Sequence, residues 1–183
     1  MYIALLVPGL KNPKGNLNIY MQPLVEELVQ LWNEGILTYD VSLRQNFLMK
    51  VVVLCNASDF PAYGMLSGWM IPGRLACPYC MEHTKAFRLA HGNKQSWFDC
   101  HRQFLPKDHR FRRNKSAFYK NREDHSDPPP MLTGEQVWSR VSSLPTVADH
   151  KGKVDGYGRS HNWTRRSILW DLPYLSKLLL RHN

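Results

Sequence analysis

The fold prediction starts from residues 45–64, which read QNFLMKVVVLCNASDFPAYG. The middle of this stretch, VVVLC, is apolar and β-branched, and polar residues bracket the apolar region on both sides. Such a run is typical of a strand that is buried on both faces. Pro61 and Gly64 predict that the chain then turns. We therefore expect a buried central strand over 45–58, with Asp59 just past its carboxyl end, where open α/β sheets keep ligand-binding groups.

The region before this strand predicts one more strand and one helix. Residues 1–8, MYIALLVP, are nearly all apolar and end at a Pro-Gly pair, which indicates a buried strand. Residues 19–32 repeat apolar residues at spacings of three and four, which predicts an amphipathic helix with Asn18 as its N-cap and Gly35 at its end. The predicted apolar face contains Leu24, Leu28, Leu31 and Trp32. The order strand, helix, strand predicts an α/β sheet.

Composition divides the chain into three predicted regions. Residues 1–72 form the core, 73–125 form a basic insertion rich in Cys and His, and 126–183 begin with a Pro-rich linker. The last region continues with a mobile loop over 147–159 and a helical segment over 161–181.

One helix of the last region has a recognisable start. Thr133 is followed three residues later by Gln136, which is the pattern of a capping box. This pattern predicts a short helix over 133–143. Pro173 lies inside the later helical segment and predicts a kink or a division there.

Length and charge limit the functional classes. The chain has 183 residues, which suits one domain, or one domain with an insertion, rather than a multidomain enzyme. It shows neither a run of apolar residues long enough for a membrane span nor a secretion signal. Its 24 Lys and Arg residues outnumber 15 Asp and Glu residues, for a net charge of +9. Such a surplus favours polyanionic partners, nucleic acid first.

The strongest local motif is Cys77-Pro-Tyr-Cys80. Two thiolates at this spacing can hold one tetrahedral zinc ion, and they supply half of a structural site. Cys100 and His101 are the best-placed second half. Residues 81–122 contain few aliphatic side chains, so a metal would help to order them. The alternatives are free, partly buried cysteines or a redox role.

Residues 102–122, here called the basic segment, combine cations with aromatic residues. Cations neutralise phosphates, and aromatic rings can stack on unpaired bases or pack the segment against the protein. The candidate nucleic-acid ligands are Arg102, Lys107, Arg110, Arg112, Arg113 and Lys115. The alternative is a solvated, charged loop around a metal site.

Asp59 is the candidate catalytic residue, although a lone Asp in a turn is more often a capping residue. Two-metal phosphoryl chemistry needs at least two or three converging carboxylates. Asp40, Asp99 and Asp171 are present, but no spacing connects them with Asp59.

Several motifs in order make a family resemblance specific. Residues 5–32, 38–69 with its motif SDFPAYG, and 75–118 with its motif LACPYC resemble the central part of plant CACTA-type (En/Spm-type) transposases. Residues 160–183 are similar to the segment that precedes a later block of that family. The resemblance runs over essentially the whole chain.

The resemblance implies a ribonuclease-H-like catalytic core with three acidic residues. Asp59, in the motif Asp-Phe-Pro-Ala, matches the second acidic position and would be a ligand of catalytic Mg²⁺ or Mn²⁺. Cys77, Cys80, Cys100 and His101 would be zinc-ligand candidates in an insertion that precedes the third acidic residue, with the fourth ligand open. The implied partners are transposon-end DNA and other transposase subunits, and the implied location is the nucleus.

The resemblance also predicts what a 183-residue polypeptide lacks. The first acidic residue of the family is expected upstream of residue 1, and the third is expected directly after residue 183. One carboxylate cannot hold two Mg²⁺ ions in a defined geometry. We therefore expect a transposase fragment that does not cleave DNA by itself. The alternatives are a zinc-stabilised nucleic-acid-binding module without enzymatic activity and a non-functional product that folds poorly.

Overall fold

The computed structural model describes residues 6, 13, 16–96, 101–117, 119–147 and 154–175. These residues divide into two compact units. Unit 1 takes its described residues from Met1–Trp69, Thr133–Gly152 and Thr164–Asn183. Unit 2 takes them from Met70–Leu132 and Lys153–Trp163. The strand predicted over 1–8 lies outside the described residues, apart from Leu6.

Unit 1 is built around helix α1, Leu17–Asn33. The helix predicted over 19–32 is therefore confirmed, and Gly35 follows its end at a φ of 74°. Burial of one apolar side of α1 against the C-terminal part of the unit forms the core. The buried side chains of this core are Met21, Val25, Ile168, Leu172 and Tyr174.

Asn18 is not the N-cap of α1, which corrects the prediction. It lies inside the first turn, where it is buried. Its amide nitrogen donates to the carbonyl oxygens of Thr146, at 2.5 Å, and Arg166, at 2.8 Å. Its amide oxygen accepts from the backbone N–H of Ile168 at 3.3 Å. Tertiary bonds thus satisfy a polar side chain that the local sequence assigns to a helix end.

An antiparallel hairpin follows α1. Strand β1, Ile36–Asp40, pairs with strand β2, Gln45–Met49, so that Ile36 faces Met49. At the turn, the Asp40 carboxylate accepts the backbone N–H groups of Ser42 and Leu43 at 2.8 and 3.0 Å. This Asx-turn geometry closes the hairpin.

The buried central strand predicted over 45–58 is wrong in both extent and burial. Strand β2 ends at Met49, its residues are exposed, and residues 50–59 have no regular secondary structure. Instead of joining a ladder, the N–H of Val53 donates to the hydroxyl oxygen of Tyr174 at 2.9 Å. Both sheets of the described residues are two-stranded and antiparallel. The fold shown is therefore mixed, with helices and small antiparallel sheets.

The turn predicted at Pro61 and Gly64 is a helix, α2, Phe60–Ser67. Pro61 lies in its first turn, where a missing N–H costs nothing. Gly68 ends the helix at a φ of 75°. The turn prediction was wrong because Pro61 and Gly64 were taken as the end of the apolar run. Pro favours the start of a helix as well as a turn.

The C-terminal part of unit 1 contains helix α3, Gly134–Val141. Thr133 and Gln136 form the predicted capping box at its start, and Val141 is buried at its end. The helical segment predicted over 161–181 is wrong for 161–167, which contain isolated bridges, bends and irregular backbone, and the described residues after them show a 3₁₀ turn at Ile168–Asp171. No helix among the described residues is long and apolar enough to cross a membrane.

Unit 2 is made of short elements. A hairpin pairs β3, Phe87–Arg88, with β4, Gln95–Ser96. Its 3₁₀ turns are Met81–His83, His101–Phe104, Arg110–Arg112, Lys115–Ala117 and Tyr119–Asn121. Of the loop predicted to be mobile, 148–153 lie outside the described residues. Residues 154–159 form hydrogen-bonded turns.

Candidate nucleic-acid interface and cysteine pair

Arg112, predicted as a nucleic-acid ligand, is a structural residue. Its side chain is almost fully buried, and its guanidinium donates to three carbonyl oxygens. Nε reaches Asp124 at 3.2 Å, Nη1 reaches Leu105 at 2.9 Å, and Nη2 reaches Ser126 at 2.5 Å. These contacts, here called the Arg112 cluster, bring together 105, 112 and 124–126. The start of the predicted linker at 126 is therefore anchored, and Arg112 is not available to a phosphate.

An ion pair lies in the same part of unit 2. Lys85 Nζ contacts Asp124 Oδ1 at 2.9 Å, and the Asp124 side chain is 2% exposed. The hydroxyl of Ser126 donates to the same carboxylate at 2.6 Å. Burial by itself would raise the pKa of Asp124, but the hydrogen bonds from Ser126 and Lys85 outweigh it, and the pKa lies below its ordinary value.

Phe111 lies at the centre of an exposed cation–aromatic group, here called the Phe111 cluster, with Arg102, His109 and Arg110. The guanidinium carbon of Arg110 is 4.7 Å from the centre of the Phe111 ring, and that of Arg102 is 5.6 Å away. The His109 ring centre is 5.2 Å from the same ring. Phe111 remains 45% exposed, so the structure brings predicted nucleic-acid ligands together around an accessible ring.

The remaining candidate cations lie at the surface, and two of them form ion pairs with carboxylates. Lys107 pairs with Asp127 at 2.7 Å, and both side chains are largely exposed. Lys115 pairs with Glu123 at 3.4 Å. Arg113 is exposed. Such surface pairs are weak in water and can exchange a carboxylate for a phosphate.

Cys77 and Cys80 lie together in a tight turn, and both side chains are buried. The N–H of Met81 donates to the Cys77 carbonyl at 2.9 Å, and the N–H of His83 donates to the Cys80 carbonyl at 2.7 Å. The Gln103 amide lies 3.9 Å from the Cys80 sulfur. A hydrogen bond with the neighbouring Cys77 thiol, together with burial, raises the pKa of Cys80.

The cysteine pair fits two positions of a tetrahedral zinc site, since both sulfurs are converging and removed from water. Cys100 lies outside the described residues, as does the side chain of His101, whose backbone starts a 3₁₀ turn. Among the residues that the structure describes, no group of three His, Cys, Asp or Glu side chains could hold a metal ion. The zinc site therefore stays a prediction.

Asp59 occupies the N-cap of α2. Its Oδ1 accepts the N–H of Ala62 at 2.7 Å, which is a normal helix cap. Of the other candidate acids, Asp40 closes the hairpin turn and Asp171 pairs with Arg166 at 2.5 Å. Asp99 lies outside the described residues. The described part of the chain thus brings together no set of carboxylates that fits a pair of catalytic ions.

Lys85 and Asp124 were missed by sequence reasoning. They are 39 positions apart, and neither belongs to a recognisable motif. The sequence shows only that Asp124 is an acidic residue near the end of the basic insertion 73–125. This placement by itself does not identify a partner.

Comparison with known proteins decides the family. Residues 1–144 match the transposase family tnp2. The chain belongs to this transposase family. The match confirms the predicted transposase membership and supports DNA as the general partner of this family member, while the plant CACTA-type grouping stays a prediction. No curated protein and no solved structure matches the chain.

Proposed function

We propose that this chain is a DNA-contacting part of a tnp2 transposase and that it binds DNA through the exposed cations of its basic segment. The observation that carries the proposal is the Phe111 cluster, in which the guanidinium groups of Arg102 and Arg110 lie over a partly exposed ring in a transposase-family chain. Lys107, Arg113 and Lys115 add exposed positive charge in the same segment. Neutralising phosphates with such groups releases counterions and drives binding.

A binding experiment with charge reversals tests this proposal. The double variant Arg110→Glu, Arg113→Glu should weaken binding to duplex and single-stranded DNA at least tenfold and reduce the slope of log affinity against log salt. Arg159→Glu is the matched control, because Arg159 is an exposed arginine of unit 2 outside the basic segment. Unchanged affinity in the double variant would mean that the basic segment is only a solvated surface.

We further propose that Cys77 and Cys80 bind a structural zinc ion together with Cys100 and His101. The buried, converging sulfurs support this, as does the scarcity of aliphatic side chains in residues 81–122. A zinc ion would supply a cross-link for a unit of short elements. Metal analysis should find about one zinc per chain, lost in Cys77→Ser and kept in Cys55→Ser, whose cysteine is exposed and distant in sequence. A metal-free wild type would reject the site.

The finer family assignment is also a proposal. The motifs around Asp59 support a CACTA-type element with a ribonuclease-H-like core, in which Asp59 is one of three acids. DNA as substrate would place the protein in the nucleus, with further transposase subunits.

A second candidate function is a nucleic-acid-binding module without enzymatic activity. It is favoured by the capping role of Asp59 and by the separate contacts of Asp40 and Asp171. We expect no cleavage or strand transfer when the 183-residue chain is incubated with plasmid and Mg²⁺ or Mn²⁺. Cleavage that Asp59→Asn abolishes would refute this expectation and identify Asp59 as a catalytic residue.

A further inference from the structure

The backbone of Phe111 is held by two hydrogen bonds, although the residue is exposed. Its backbone N–H donates to Nδ1 of His109 at 3.3 Å, and its carbonyl oxygen accepts from Nη1 of Arg102 at 2.7 Å. Both backbone polar groups of the residue are therefore satisfied by side chains of the Phe111 cluster. The backbone that carries the ring is therefore ordered before a ligand arrives, which lowers the entropy cost of binding.

The surroundings of the ring suit one class of ligand. A guanidinium group can contact a phosphate, or it can stack on a base, and an aromatic ring stacks on the flat face of a base. Arg102 and Arg110 provide two guanidinium groups within 6 Å of the ring centre. Both guanidinium groups lie over the ring, so the cluster offers a combined aromatic and guanidinium stacking surface whose cations can also contact a phosphate.

The secondary structure argues against reading an intact duplex. A major groove is read by an α-helix or a two-stranded ribbon. The described residues of 101–117 contain 3₁₀ turns of three or four residues and neither of those elements. Inside a duplex, neighbouring base pairs cover both faces of each base. The Phe111 ring can therefore stack only on an unpaired or terminal base.

We propose that the Phe111 cluster binds an unpaired base of single-stranded DNA, with Phe111 as the stacking residue and Arg102 and Arg110 as the phosphate contacts. This inference rests on the proposed DNA binding and adds its preferred form, an unpaired strand rather than an intact duplex.

Binding of the full chain to three labelled probes tests the inference: a single strand of mixed sequence, the same strand annealed to its complement, and the same sequence as RNA. We expect the DNA strand to bind more tightly than the duplex. Phe111→Leu should weaken single-strand binding on the order of tenfold and leave duplex binding unchanged. Phe111→Tyr keeps a stacking ring and should retain the wild-type affinity.

Tyr157→Leu is the matched control, because Tyr157 is an aromatic residue of unit 2 outside the basic segment with a similar exposure of 42%. It should bind both DNA probes like the wild type. Circular dichroism of each variant checks that the fold is kept, as expected for an exposed side chain.

The outcomes separate the two proposals. Equal binding of strand and duplex, with no effect of Phe111→Leu, would overturn the single-strand inference and leave the proposed DNA binding intact. Absence of binding to every probe would overturn both. A clear preference for the RNA probe would overturn the choice of DNA.

Discussion

The two units combine apolar and polar burial in different ways. Unit 1 has an apolar cluster, in which α1 packs on the segment around Ile168 and Tyr174, and it also buries the side chains of Asn18 and Arg165. Unit 2 buries Leu75, Trp163 and the two cysteines of its turn, but it also buries Arg112 and Asp124. An apolar core gains stability from area removed from water, whereas a buried guanidinium must find an acceptor for each donor.

The two kinds of burial predict which substitutions destabilise each unit. An apolar core loses stability in proportion to the side chain removed, while a polar core fails when one partner of a network is deleted. Unit 2 lacks long helices and strands in its described residues, so its order depends on directional bonds among short turns. Removing those bonds should therefore have the largest effects in the molecule.

The largest expected effect is the loss of the Arg112 cluster. Arg112→Leu removes the donors of three carbonyl oxygens and should destabilise unit 2 by about 4 kcal/mol. Arg113→Leu is the control, because its exposed neighbour should change stability by no more than about 0.5 kcal/mol. Hydrogen exchange of peptides from 102–126, combined with denaturant unfolding, measures the loss. Equal protection in the two variants would show that unit 2 does not depend on the cluster.

A glycine pair sharpens the comparison between the units. In unit 1, Gly68 has a φ of 75°, and an added methyl group would overlap the backbone oxygen of Arg165. In unit 2, Gly158 has a φ of 73° but nothing within 4 Å of the added carbon. Gly68→Ala should therefore cost about 3 kcal/mol and Gly158→Ala about 1 kcal/mol, the backbone part alone. Thermal unfolding of both variants checks the difference, and equal costs would contradict the overlap.

Acid should act on unit 2 through Asp124. Its pKa is lower in the folded chain than the ordinary value of about 3.9. The carboxylate therefore contributes stability above about pH 3.9, and this contribution is lost as the pH falls below that value toward the folded pKa. Asp124→Asn should flatten this part of the stability curve.

Asp127→Asn is the control for the acid experiment, because Asp127 is 76% exposed in its pair with Lys107. It should leave the pH dependence of unfolding near that of the wild type. An equal response of the two variants would mean that Asp124 is not the group that acid protonates.

The smallest expected effect concerns Asp59 and distinguishes a helix cap from an ionic role. Asp59→Ala removes the acceptor of the Ala62 N–H and should lower stability by about 1 kcal/mol. Asp59→Asn keeps an acceptor oxygen, so it should change stability by only roughly 0.3 kcal/mol. Thermal unfolding measures both. If Asn were as harmful as Ala, the charge rather than the cap would matter.

Local signals predicted two of the helices correctly, although they misplaced the N-cap at Asn18 and the turn at Pro61. The 3.6-residue repeat of α1 and the capping box of α3 depend on neighbours within one or two turns, and both predictions are confirmed. The prediction of a buried strand over 45–58 was wrong because an apolar, β-branched run indicates only a preference for extended backbone. It does not show whether a partner strand is available. Strand β1, Ile36–Asp40, was missed, although its β-branched and aromatic residues and the Asp40 turn were the available signals.

The same limit applies to the candidate site. Sequence identified the basic segment and the cysteine pair, and the structure brings the guanidinium groups of Arg102 and Arg110 within 6 Å of the centre of the Phe111 ring. It also removes Arg112 from the set of DNA ligands, because burial cannot be read from a run of similar arginines. Whether Cys100 and His101 join the cysteine pair stays a prediction.

The sequence by itself determined the transposase family, the positive charge, the start of α3 and the course of α1, because order of motifs, composition and short-range periodicity are properties of the chain. Only the tertiary structure decided that Arg112 is bound to three distant carbonyl groups and that Asn18 contacts the C-terminal segment. The physical reason is that a polar side chain takes its role from the groups that surround it after folding. Those groups come from positions whose distance along the chain carries no information about their distance in space.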